Sequence, residues 1–158
     1  MKKLILLMCI SSFALFYVYG QQKVKLEVGI KAPEWIFKDA DGKDFTMNTW
    51  AGKVLQLNYV DPDEQDLNEP FNEAVDKAID IDKRISKDLF KGFGIVDCKS
   101  TWKPNVLIRT IAGKKAKKYD TSILFDYDAT LQGLWGLPSD SYSIIILDGT
   151  SAIELDQS

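Results

Sequence analysis

The sequence has no histidine and only two cysteines, Cys9 and Cys98. Without imidazole there is no Ser-His-Asp arrangement, no histidine-ligated metal and no general base titrating near neutrality. Long apolar runs are also missing beyond the amino terminus. That terminus has three parts. Lys2 and Lys3 are basic, Leu4 to Val18 is apolar apart from Ser11 and Ser12, and Val18 and Gly20 stand just before Gln21 and Gln22. This is the pattern of a cleavable secretory signal over residues 1–20, and its apolar run is shorter than the roughly 20 residues that span a bilayer. Met8 is too bulky, and Cys9 too early, for a lipid-attachment signal. The rest, residues 21–158, is expected to form one exported domain, periplasmic or secreted, with no stable membrane insertion.

Removing the leader takes Cys9 with it, so Cys98 is left without a partner and the fold stands without an internal disulfide. Losing Lys2 and Lys3 leaves 18 basic against 23 acidic residues, a net charge near −5. That balance argues against nucleic acid as a partner. Hydrophobic residues are 46% of the chain, enough for a real core rather than a disordered segment.

Alternating apolar residues place a short leading strand at Val24–Val28. Residues 34–47 read as a β-hairpin about Asp41-Gly42. Lys53 to Val60 follows Gly52 as a near-continuous apolar run, suited to a central strand covered on both faces. Pro70 opens a helix, with Phe71, Ala74, Val75, Ala78 and Ile79 on one face, that extends to about Ile85. Phe93 to Asp97 completes a parallel strand–helix–strand unit. Pro104 opens a second helix with Val106, Leu107, Ile108 and Ile111 on its apolar side. Strands at Ser122–Phe125 and Ser143–Leu147, a helical turn at Ala129–Trp135, and an Asp148-Gly149 turn into Ala152–Leu155 complete a single α/β layer structure with a mixed sheet.

The order of the pieces carries a resemblance. Gly29-Ile30-Lys31-Ala32-Pro33 precedes the hairpin, Gly52-Lys53-Val54 opens the central strand, and Trp135-Gly136-Leu137-Pro138 leads into the strand ending at Leu147-Asp148-Gly149. Over roughly residues 24–155 this resembles the peroxiredoxin and thiol-reductase branch of the thioredoxin fold. In that branch the loop after the central strand carries Cys-x-x-Cys or a peroxidatic cysteine. Here that loop, Asp61 to Pro70, has no cysteine, so neither dithiol exchange nor peroxide reduction can occur at this place. The chain is more closely similar to the YtfJ family, small exported thioredoxin-like proteins of Gram-negative bacteria. The similar segments are this polar loop, Ile95-Val96-Asp97, Lys117-Lys118-Tyr119, Phe125-Asp126 and Leu147-Asp148-Gly149. The resemblance implies fold and location and transfers no catalytic residue. Such folds end in a helix after the last hairpin. This chain stops at Ser158, so the final helix is expected to be absent and one sheet face partly uncovered: either the chain is truncated, or another surface, such as that of a homodimer, covers it.

Five site readings follow. Asp61, Asp63, Glu64 and Asp66, with Glu69, crowd the loop with carboxylates. They read as a binding surface or as charges that favour the next helix. Asp61, Asp63 and Gln65 begin like a calcium loop, but Asp66 and Asn72 break the pattern, so no metal is expected. Pro138 stands where the resemblance implies a cis-proline facing that loop. Cys98 is either a quiet core thiol or the nucleophile of a single-cysteine redox enzyme. Trp35, Trp50, Trp102 and Trp135 read as packing anchors. Lys114, Lys115, Lys117 and Lys118 complement a helix carboxyl end, with an anionic contact as the sharper reading. No cofactor is expected, and the function implied is a non-catalytic binding or scaffold role toward a protein partner.

Overall fold

The computed structural model describes residues 26–157. The leader at residues 1–20 and Cys9 therefore lie outside the described residues. Seven strands form one mixed sheet in the order β2-β1-β5-β4-β3-β6-β7. They are β1 (Ile36–Asp39), β2 (Asp44–Thr46), β3 (Val54–Val60), β4 (Phe90–Asp97), β5 (Ser122–Asp126), β6 (Tyr142–Leu147) and β7 (Ile153–Gln157). Three helices accompany them: α1 (Glu69–Asp80), α2 (Asn105–Lys118) and α3 (Thr130–Trp135).

The first hairpin forms where expected. Asp39 accepts the backbone N–H groups of Asp41 and Lys43, each at 2.9 Å, and Gly42 takes φ 85°, which closes the turn. β3 is central: it pairs in parallel with β4 and antiparallel with β6, and Leu55 through Tyr59 are all buried. β4 and β5 are also parallel, so β3, β4 and β5 run side by side and end at one edge.

Register sorts the side chains onto two faces. Leu55, Leu57, Tyr59, Phe93, Ile95, Leu124, Ile145 and Leu147 join one large cluster with Leu131, Leu134 and Trp135 of α3. Aromatic rings from the hairpin side close it, with Trp50 4.7 Å and Trp35 5.6 Å from Phe93 between ring centroids. The opposite face is overlaid by α1 and α2. Asn72 of α1 accepts from the Gln56 amide at 2.7 Å, and Ile108 and Ala112 of α2 pack with Phe125, Val96 and Ile123. Gly113 makes the close fit of α2 against the hairpin possible: a Cβ there would meet that of Ala40 at 2.9 Å.

Four expectations are corrected. Leu26 to Val28, the described part of the leading strand, form no strand; they lead into a turn at Gly29, whose N–H donates to Ile153 at 2.8 Å. α1 ends at Asp80 rather than near Ile85. Lys83 takes φ 54°, and the N–H groups of Asp82 and Arg84 fold back onto the Lys77 and Ala78 carbonyls, so apolar spacing is overruled by a local terminating turn. α2 buries Ile108 but leaves Val106, Leu107 and Ile111 outward. Trp102 is 86% exposed and anchors no packing.

Candidate functional site

The carboxyl edge of β3, β4 and β5 gathers most of the residues singled out in the sequence. Ligands in open α/β sheets bind beyond this edge. β3 runs out at Val60 into the acidic loop. Asp61 is buried and its carboxylate accepts the Asp63 N–H at 2.7 Å, a local turn that turns the chain back. Its own N–H donates to the Ser141 carbonyl at 3.1 Å, tying the loop to the start of β6.

Asp63 faces the loop after β4. It accepts from the Thr101 hydroxyl at 2.7 Å and forms an ion pair with Lys103. Those two partners hold its carboxyl below the ordinary 3.8. The loop after β3 and the loop after β4 are thus clasped across the sheet edge. Among the described residues no three metal-ligating side chains converge. Gln65 reaches instead to α2, accepting from Lys115 at 3.3 Å.

Pro138 lies exposed in the connection from α3 to β6, and the peptide before it is trans, because no described peptide bond is cis. The expected cis-proline is therefore not formed. The residue bonded to the acidic loop is Ser141, three positions on; the tripeptide Ser139-Asp140-Ser141 intervenes between the proline and β6, with Asp140 at φ 51°.

Beneath the clasp lies a buried polar cluster that sequence reasoning did not assemble. Asp97 ends β4 and Asp126 ends β5, paired in register, and both are buried. Asp126 accepts the Thr130 N–H at 2.9 Å, the Leu131 N–H at 2.8 Å and the Tyr59 hydroxyl at 3.2 Å. It therefore satisfies the first turn of α3. Asp97 accepts the Lys99 N–H at 3.0 Å; burial, together with the nearby Asp126 charge, raises its carboxyl. Burial and the same two carboxylates push the Tyr59 phenol far up, so it stays a neutral donor. One signal was available. Both carboxylates close an apolar strand, Ile95-Val96-Asp97 and Leu124-Phe125-Asp126, which marks the edge where parallel strands run out.

Cys98 follows Asp97 directly. It is buried with Ile108, Ala112 and Phe125 under α2, and its thiol points toward the Val96 carbonyl at 3.6 Å. Burial, then the Asp97 and Asp126 charges, push the thiol up to about 12. A reactive thiol needs the opposite surroundings, electropositive and partly exposed. Cys98 is built as a small hydrophobe of the core.

This topology and the edge-of-sheet loop define the chain as thioredoxin-like in fold. Solved structures agree. Over 85% of this chain and 90% of the other, it is similar to the thioredoxin domain of a thiol-disulfide oxidoreductase from Bacteroides vulgatus, with TM-score 0.62 and 13% identity. It is also similar to the pneumococcal exposed lipoprotein thioredoxin from Streptococcus pneumoniae, with TM-score 0.60 and 13% identity over 79% and 88% of the two chains. A structure assigned as the thiol:disulfide interchange protein DsbE from Chlorobium tepidum gives TM-score 0.60 and 15% identity over 84% and 86%. No protein-family model matches the chain, and no curated protein matches it in sequence.

Proposed function

We propose that this chain is an exported, non-catalytic thioredoxin-like protein of YtfJ type that uses the carboxyl edge of its sheet to bind a protein partner. One observation carries the reading: the loop that holds sulfur in thiol-disulfide enzymes here holds the Asp63–Lys103–Thr101 clasp, and the described thiol is sealed under α2. A clasp of this kind fixes two loops at the sheet edge, which suits a preformed binding surface. Export is supported by the tripartite segment at residues 1–20. It is further supported by the likeness to an exposed lipoprotein thioredoxin.

The alternative, a single-cysteine redox enzyme using Cys98, is not favoured. Burial beside two carboxylates disfavours the thiolate that such an enzyme needs. The test compares the wild type with Cys98→Ala in insulin-disulfide reduction and peroxide consumption, alongside the alkylation rate of Cys98 at neutral pH. No turnover in either protein, with alkylation slower than that of a free thiol, is the expected result. Turnover that disappears in Cys98→Ala overturns the reading.

A further inference from the structure

Charge in this chain is strongly segregated. From Lys99 to Tyr119 there are seven basic residues and no acidic one, while the remainder carries 13 basic against 23 acidic residues. The same segment holds exposed apolar side chains: Trp102 is 86% exposed, Val106 78%, Leu107 46% and Ile111 49%. These are not scattered. With Ile108 and Ala112 turned into the sheet, helical spacing puts Val106, Leu107 and Ile111 on the outward arc of α2 together with Lys114, Lys117 and Lys118. Among the described residues no carboxylate lies within ion-pairing distance of these three lysines. Four lysines in five residues exceed what a helix carboxyl end gains from its dipole, which falls off within the last turn.

An open depression of about 340 Å³ lies beside the cationic end, lined by Ile111, Lys114, Lys118 and Tyr119 with Gln65 opposite. The Lys118 ammonium sits 4.8 Å from the centre of the Tyr119 ring. The helix thus offers apolar groups to be buried, cations beside them and a recess sized for a small anionic group.

We infer that α2 and the Trp102 loop form a peripheral docking surface for a membrane rich in anionic phospholipid. On such an arc the aliphatic side chains supply apolar area to bury at the headgroup boundary, and the ammonium groups supply attraction to lipid phosphate. Trp102, beside the amino end of the helix, is the side chain that bilayer interfaces favour. An acidic protein would answer the charge. An anionic bilayer interface answers both that charge and the exposed Trp102, Val106, Leu107 and Ile111 of the helix and the loop before it. The Trp102 loop also carries Thr101 and Lys103 of the clasp, so this surface adjoins the sheet edge.

The test uses the chain from Gln21 onward. That chain contains every described element and omits the apolar leader, which would partition into lipid by itself. Cosedimentation is measured with vesicles of equal phosphatidylcholine and phosphatidylglycerol, and with phosphatidylcholine alone. Partition at least about tenfold stronger on the anionic vesicles is expected, weakened by salt, because each lysine near the surface contributes independently. The triple variant Lys114→Gln, Lys117→Gln, Lys118→Gln loses at least about tenfold; the same three positions changed to Arg retain binding, which separates charge from fold. A blue shift of tryptophan emission on anionic vesicles that is absent in Trp102→Phe places that loop at the interface. Equal partition on both vesicle types, or a Gln variant that binds as the wild type does, overturns the inference. So does lysine-dependent self-association without lipid, which would assign the arc to a second copy.

Discussion

On one face of the sheet Leu57, Ile95, Leu124 and Ile145 interlock with α3 and the hairpin in a cluster of 19 buried residues. On the other, the interleaved residues include Gln56 and Asn58 on β3, paired in register with Gly92 and Gly94 on β4, beside buried Ile144 and Phe125. The cluster beneath α2 has four buried members, and α1 fully buries only Ala78. One face therefore holds the fold together, and the other is a thin layer carrying polar groups and both outward helices. Apolar burial contributes roughly in proportion to area. Substitutions on the first face should therefore decide whether the protein folds, and those on the second should mainly change what its surface does.

The largest test of that contrast is Trp135→Ala. Trp135 is 1% exposed and packs in the main cluster; removing it leaves a large cavity and should cost roughly 3–5 kcal/mol. Chemical denaturation checks it. A loss below about 1 kcal/mol, the centre of ordinary point-mutant effects, would mean that the densely packed face is not the seat of stability.

The intermediate test is Gln56→Leu, on the thin face. Gln56 is 2% exposed; its amide donates to Asn72 and, at 3.3 Å, to Asn58, but its carbonyl oxygen has no described partner. A buried acceptor without a donor carries its full desolvation cost. Leucine fills similar volume and removes that orphan, but it also takes the donor from Asn72 and from buried Asn58, so the costs offset and the variant should be about as stable as the wild type. Destabilisation by more than about 1 kcal/mol would show that the Gln56–Asn72 bond is the tie that seats α1.

What the sequence revealed and what it hid divide along the same line. The hairpin was legible because Asp41-Gly42 specifies a turn chemically, and β3 because five consecutive residues are buried from two sides. The place of the Asp61 to Pro70 loop at the sheet edge was legible because it follows the central strand in chain order. The outward face of α2 was not. Val106, Leu107, Ile108 and Ile111 are all apolar, and periodicity alone does not say which of four apolar residues meets the sheet. The end of α1 depended on one backbone conformation at Lys83, which propensity does not report. The Tyr59–Asp97–Asp126 cluster comes from three strands separated by more than thirty residues between the first two, and only parallel register unites it.

The smallest expected effect at a single pH, and the most specific in its pH dependence, belongs to Asp97→Asn, in the polar cluster between the two faces. The folded protein raises the Asp97 carboxyl above the ordinary 3.8, chiefly by burial and then by the Asp126 charge, against the favourable Lys99 N–H bond. A carboxyl raised on folding favours the folded state in full only below its unfolded value, and that contribution is lost as pH rises through the folded value. At neutral pH the wild type therefore carries the cost of an ionised Asp97 beside Asp126. Asparagine keeps an acceptor for the Lys99 N–H and stays neutral throughout. The Tm of Asp97→Asn should match the wild type near pH 3 and exceed it near pH 7, with the difference opening as pH passes upward through the carboxylate range. Asp63 shifts the other way, so its own stabilising clasp weakens as pH falls and cannot mimic this profile. A difference that is constant with pH would assign the effect to packing, and one that reverses sign would mean that the ionised Asp97 is held by a donor stronger than the Lys99 backbone.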